Sequence, residues 1–413
     1  MTTIYCTEIE LKALLYGREE LSEKINHIRI DEHFDDFIKH TKKKKKVLRY
    51  EDVRHPIFNP KENSVIIFDR RVIERDFKFL TDYCGIIFRE KLFQTWKDKN
   101  IKVVFNFSYW EPLMCESLLY DFMVRDFPFE CIKLVDYPIF KDLPNFYYDG
   151  LYNIFHYINE HLKGEIENYP IKPHSMEKEK LFAFTQMKLR PHRVYFLKKL
   201  ISSGLYKHGY ITAMKVYFED YNPNQPGGGA KLHSDNCFMQ NEYYYKDNIW
   251  DFFEKDWDEY KYIFVDNFKD NPHQNYTDFA NRTLEYNKTY IDIAGETHCL
   301  FNTQYPTFSE KSLQAIMFEK MFLIYGGNEF YRLLEKLGGH NFFEELGLPE
   351  DYHTIENPYE QVDIIMGILP TLSTLKFSEI FEQSQAKIKE NKKIIFEHYK
   401  KIMKPVCEFI LGK

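Results

Sequence analysis

Short apolar runs alternate with amphipathic segments along much of the chain, and this alternation predicts its elements. A continuous apolar run at 64–70 (SVIIFDR) reads as a buried strand. Residues 72–99 then have helical spacing, with Gly85 as the point where such a helix would break. A second strand is predicted at 101–108 (IKVVFNFS), a proline-led helix at 111–127, and a third strand at 129–137 (FECIKLVDY). Strand, helix, strand, helix, strand is the pattern of a parallel sheet with helical crossovers. The first 60 residues show no comparable pattern and read as an irregular or helical entry to the same domain.

A polar, proline-bearing stretch over 163–178 interrupts the pattern, and a second α/β unit follows it. Its predicted elements are a strand at 180–188, a helix at 190–204 with Pro191 in its first turn and Gly204 at its end, and a strand at 210–218. Between 219 and 288 regularity is lost in a loop-like and then aromatic, acidic insertion of the kind that forms a functional excursion or a lid. It returns with a strand at 289–296 running into Glu296, a helix from Ser309 to about Glu319, a strand at 321–327 and a helix at 328–339. Residues 374–403 show helical spacing with many charge pairs four residues apart. The expected organisation is an N-terminal Rossmann-like domain at 1–165, a linker at 166–178, a second domain at 179–375 carrying the 219–288 insertion, and C-terminal helices at 376–413 that could pack back across a cleft between the domains.

Composition narrows the class without naming it. The 413 residues suit two domains, and 44% hydrophobic with 29% charged residues is ordinary for a soluble globular chain. A net charge of −7 argues against non-specific nucleic-acid binding, leaving the Lys42–Lys46 run as the one basic cluster. Seven scattered cysteines without a CxxC indicate neither a zinc site nor a disulfide framework, so a reducing compartment is expected. The N-terminus has no signal-peptide pattern and no run approaches about 18 apolar residues, so no membrane span and a cytoplasmic location are expected.

The stretch YPTFSEKSLQAIMFEKMFLIYGG at 305–327 holds the candidate chemistry. Ser309 is a good N-cap, and Glu310 follows it where the helix dipole favours an acid. Lys311 faces the positive end of the helix dipole there; a capped surface helix is the plainer reading of these residues, and the other is an anion that the lysine and the backbone N–H groups would hold together. Glu310 suits the hydroxyls of a ribose. Glu296, ending the preceding strand, would line the same rim of the sheet, although a turn acid is the simpler role.

The segment GETHCLFNTQYPTFSEKSLQAIMFEKMFLIYGGNEFYRLLEKLGGHNFFEELG, followed by EDYHTIENPYEQ, resembles the donor-domain signature of fucosyltransferase-like glycosyltransferases. Together with LRPHRVYFLKKLISSGLYKHGYIT at 189–212, it is similar above all to uncharacterised phage and bacterial members. The resemblance covers about 100 residues of the C-terminal half. It implies an α/β chain of the GT-B fold, two Rossmann-like domains facing each other across a cleft, with a nucleotide sugar bound mainly by the second. It places Ser309 at the donor site, Glu310 on the ribose, Lys311 on the diphosphate and Glu296 near the donor sugar or ribose. It also expects one or more of Arg190, His192 and Arg193 to face the diphosphate. The chain departs from the family with Thr307 in place of an aromatic residue and with the long insertion, which puts fucose itself in doubt.

The reaction so implied is transfer of a sugar to an acceptor hydroxyl, inverting and metal-independent, with the nucleotide sugar as substrate and no cofactor. Inversion needs one general base. Glu111 in FNFSYWEP is the first candidate, with Asp69 and Asp136 behind it. The acceptor stays open between a glycan or polysaccharide and a hydroxymethylated pyrimidine of phage DNA, the latter with the host cytoplasm as location. Asp256-Trp257-Asp258 matches a metal-binding D-x-D only by composition, and His233-Ser234-Asp235 falls in a loop that reads as a lid or an acceptor edge. A two-domain protein that binds a nucleotide or glycan without turnover is the alternative.

Overall fold

The computed structural model describes residues 1–15, 18–30, 55–69, 89–106, 125–135, 146–148, 178–185, 191–212, 288–296, 310–372 and 377–412. The chain divides into two compact units, Met1–Glu160 with Glu397–Lys413, and His161–Phe396. The expected linker and nearly all of the 219–288 insertion lie outside the described residues.

Six strands of the first unit form a parallel sheet: β1 (Thr2–Cys6), β2 (Ile25–Arg29), β3 (Val65–Asp69), β4 (Lys102–Asn106), β5 (Cys131–Val135) and β6 (Phe146–Tyr148), in the order β2-β1-β3-β4-β5-β6. β3, β4 and β5 fall inside the predicted runs, and β3 and β4 are buried on both faces, as an apolar run without alternation requires. Around them Phe68, Phe93, Trp96, Phe105 and Phe129 pack ring against ring, and the Trp96 indole N–H donates to the carbonyl of Ile57 at 2.8 Å. The expectation of an irregular or helical entry is corrected: β1 and β2 occupy the N-terminal stretch and belong to the sheet, joined through helix α1 (Glu8–Leu15). TTIYC is a β-branched and aromatic run, but it is only five residues long, while INHIR is too polar to read as a strand.

In the second unit β7 (Lys180–Thr185), β8 (Gly209–Thr212), β9 (Thr289–Gly295) and β10 (Met321–Tyr325) form a parallel sheet ordered β10-β9-β7-β8. Helix α2 (Pro191–Ser202) connects β7 to β8, and α3 (Glu310–Met317) lies between β9 and β10. Pro191 opens α2 at the position where its missing N–H costs nothing, and Gly204 beyond its end takes φ of 74°, the left-handed conformation that glycine adopts without strain. Helix α4 (Asn328–Lys336) is amphipathic, turning Phe330, Tyr331 and Leu334 inward. Helices α5 (Pro358–Leu372), α6 (Phe377–Gln383) and α7 (Gln385–Leu411) complete the described chain. Residues 385–396 of α7 belong to the second unit and the rest to the first, where Lys102 donates to the carbonyl of Phe409 at 3.1 Å.

Among the described strands β10 ends its sheet, and its outer side is met by side chains. The Ile324 N–H donates to the Tyr331 hydroxyl at 2.8 Å, and the Tyr352 hydroxyl donates to the Ile324 carbonyl at 3.2 Å. One step beyond the strand, the Gly326 N–H donates to Oε1 of Gln361 at 2.6 Å.

Candidate functional site

Both sheets share one topology. Renumbered from its own first strand, the order of the second sheet is 2-1-3-4, and the first sheet begins in the same way. In this order the connections leave the first strand and the third in opposite directions, which opens a crevice beyond their carboxyl ends, where doubly wound sheets hold ligands. In the second unit the corresponding position is at the ends of β7 and β9. The helices that follow these strands, α2 and α3, start there.

The carboxyl end of β9 is held from both helices. Near the start of α2, Nε and an Nη of Arg193 both donate to the carbonyl of Gly295, at 3.0 and 2.7 Å. The neighbouring His192 ring nitrogen Nε2 lies 2.7 Å from the carbonyl of Glu296, so its proton is on Nε2 when this bond forms. From α3, the Ser312 hydroxyl donates to Oε1 of Glu296. Arg193 is 0% exposed and Glu296 1%, so a guanidinium and a carboxylate are both removed from water at one strand end. Burial of such groups is tolerated only with hydrogen-bond partners.

Two glycines let the backbone close on this cluster. A Cβ at Gly295 would come within 2.6 Å of the Tyr325 ring, which itself stands 5.7 Å from the His192 ring. A Cβ at Gly327 would lie 2.7 Å from Cγ2 of Ile324 and 2.9 Å from Cγ of Glu296. The Gly326–Gly327 turn therefore forms a close wall against the Glu296 side chain. Helix α5 braces α2 on its outer side, where Asp363 accepts from the Tyr195 hydroxyl at 3.0 Å and pairs with Lys199 at 2.8 Å. This pair holds the Lys199 ammonium above its ordinary pKa.

Of the residues singled out from the sequence, the structure brings His192, Arg193 and Glu296 together at the end of β9. Glu310 and Lys311 occupy the first turn of α3, the helix that supplies Ser312. Glu111, Arg190 and Ser309 lie outside the described residues, as do Asp136, Thr307, the Lys42–Lys46 run, Asp256-Trp257-Asp258 and His233-Ser234-Asp235; Asp69 closes β3.

Sequence reasoning missed Ser312 and Gln361. A signal existed for Ser312, which is a small polar residue in the buried helical run SLQAIM. One turn into the same helix, Gln314 is 2% exposed and its Nε2 has no hydrogen-bond partner among the described residues. Among the described residues no group of three or more His, Cys, Asp or Glu side chains is placed to hold a metal ion. No single described helix is long and apolar enough to cross a membrane. The bent pair α5–α6 passes on length and composition alone, with Val362, Ile365, Leu369 and Phe381 buried within the second unit.

No family model and no curated protein matches the chain. Among solved structures it aligns with one described as a crystal structure of an alpha1,3-fucosyltransferase, at 9% identity and a TM-score of 0.37, over 98% of this chain and 90% of that one.

Proposed function

We propose that the chain is a glycosyltransferase of the GT-B class expected from the sequence, and that its second unit binds a nucleotide sugar at the β7/β9 crevice. The observation that carries this reading is the convergence of two helix starts on the end of β9, with the buried Glu296 between them. A helix start offers unpaired N–H groups and positive dipole to an anion, and Lys311 in the first turn of α3 adds a cation where only an anion would favour one. Glu310 accepts from the ribose hydroxyls. The diphosphate rests on the start of α3 and on Lys311. His192 and Arg193 keep the end of β9, and with it Glu296, in place.

In the transfer, an acceptor hydroxyl attacks the anomeric carbon, the bond from that carbon to the diphosphate oxygen breaks, and the acceptor proton passes to a carboxylate base. Glu111 is the residue assigned to that base from the sequence. The nucleoside diphosphate leaves with its added charge stabilised by Lys311 and the helix N–H groups. The acceptor is a glycan hydroxyl or a hydroxymethylated pyrimidine in DNA; the Lys42–Lys46 run favours the latter and the net charge of −7 the former.

Thermal-shift measurements with UDP-, GDP- and CMP-sugars identify the donor, because a ligand bound only by the folded state raises the melting temperature by mass action. Transfer assays on oligosaccharides and on hydroxymethylcytosine-containing DNA then separate the acceptors. Lys311→Ala is expected to abolish donor binding. Glu111→Ala is expected to retain binding and lose turnover. Donor binding and transfer unaffected by Lys311→Ala would overturn the site.

A further inference from the structure

We propose that Gln361 is a positioning residue for Glu296, acting on it through the Gly326–Gly327 turn. The proposal rests on the reading of Glu296 as part of the donor site. Gln361 lies on α5, far from Glu296 in sequence, and is 0% exposed. Its amide is used at both ends. Oε1 accepts from the Gly326 N–H at 2.6 Å, while Nε2 donates to Oδ1 of Asn328 at 2.8 Å and lies 3.3 Å from the carbonyl of Tyr352. Asn328 is itself fixed, its amide donating to the carbonyl of Ile355 at 2.8 Å. The turn therefore hangs from a side-chain amide whose own orientation is set by two further partners.

The turn matters because of what it touches. Gly327 approaches Glu296 so closely that a single added carbon would lie 2.9 Å from Cγ, and the Glu296 N–H is bonded to the carbonyl of Tyr325, the last residue before the turn, at 3.0 Å. Ser312 fixes the carboxylate end of the same side chain. Glu296 is thus held at its backbone, at its stem and at its carboxylate, and Gln361 controls the second of these.

Only a side chain that accepts and donates can do this. A carboxylate at 361 would present oxygen to Asn328 Oδ1 and to the Tyr352 carbonyl, and an aliphatic chain would leave the Gly326 N–H without its acceptor. Sealing of the outer side of β10 would not by itself require Gln361, since Tyr331 and Tyr352 already meet Ile324 there. Tyr331→Phe therefore serves as the control, removing one contact at the strand and none at the turn.

The test uses the full chain with two readouts. In the first, hydrogen exchange without ligand is followed in peptides covering 291–297. Gln361→Met is expected to speed exchange there, while Tyr331→Phe leaves that segment unchanged. In the second, binding of UDP, GDP and CDP is measured by calorimetry. Gln361→Met is expected to weaken the nucleotide that binds by about tenfold, by analogy with residues that orient metal ligands from the outer shell. In a Glu296→Gln background the same change should have little further effect, because the two residues act as one unit. Unchanged exchange at 291–297 would overturn the proposal, as would additive losses in the double variant. Altered exchange with no nucleotide bound by the unsubstituted protein would sustain the positioning of Glu296 and overturn the donor-site reading.

Discussion

Ser312 donates its hydroxyl to the carboxylate of Glu296, joining the start of α3 to the residue that follows β9. Both are buried, so the bond satisfies a charge that has little access to water. Ser312→Ala leaves that carboxylate with one donor fewer and is expected to cost about 1–3 kcal/mol of stability, the usual range when a buried group loses its partner. Denaturant midpoints at constant slope would measure it. Glu296→Gln should be tolerated better than Ser312→Ala, because the amide can still accept from the serine.

Gln314 presents the opposite case. A buried amide nitrogen with no partner among the described residues is a standing cost to the unliganded protein. Gln314→Leu removes the cost and keeps most of the volume, so the melting temperature of the free protein is expected to rise by a few degrees, corresponding to about 1 kcal/mol. The residue lies one turn from Glu310 and Lys311. If the amide is reserved for a donor oxygen, the same variant binds the nucleotide sugar more weakly. A higher melting point with undiminished binding would assign Gln314 to packing alone.

Gly327→Ala tests the wall against Glu296. Its φ of −128° suits any residue, so the effect must come from contact and not from backbone strain. The added methyl would meet Ile324 and Glu296 at 2.7 and 2.9 Å, and a destabilisation of about 1–3 kcal/mol is expected from such overpacking. Gly338→Ala is the contrasting variant, since its Cβ meets nothing within 4 Å but its φ of 81° is strained for alanine. The first should disturb nucleotide binding and the second only stability.

Lys320 gives the protein a pH-dependent stability. It precedes β10, is 1% exposed, and donates to the carbonyl of Thr289. Burial, reinforced by the nearby Lys178 charge and opposed by Asp292, holds its ammonium well below the ordinary value of 10.5. Between that lowered value and 10.5 the unfolded chain binds a proton that the folded chain does not, so this group makes stability rise with pH across the window and fall as pH drops through it. Lys320→Met is neutral at every pH and should remove the slope. The stability gained by the variant is expected to be largest near neutral pH and to shrink as pH approaches about 10 in thermal melts. A gap independent of pH would mean that Lys320 stays charged in the folded protein.

The sequence was most legible where one physical signal dominated. Apolar runs bounded by helices located β3, β4, β9 and β10, and Pro191 with Gly204 marked both ends of α2. β1 was missed because five residues carry too little periodicity to stand out, although pairing with β2 and β3 makes it interior to its sheet. The joining of His192 and Arg193 to the end of β9 was open to suspicion from chemistry but not to derivation. Their partners are the backbone carbonyls of Gly295 and Glu296, about a hundred residues away, and a carbonyl leaves no mark in a sequence. Gln361 was invisible for the same reason, since the group it accepts from is the N–H of Gly326.

The two tyrosines that meet Ile324 also set a limit on growth. A bare boundary strand offers its peptide groups to any passing extended chain, and parallel sheets can enlarge or exchange segments between copies by that route. Here one N–H and one carbonyl on the outer side of β10 are taken up by phenols from the same protein. A further strand could join there only by displacing both rings from their packing against each other and against Phe322 and Phe343. On that side of β10 the sheet is guarded against addition of a strand from a second molecule.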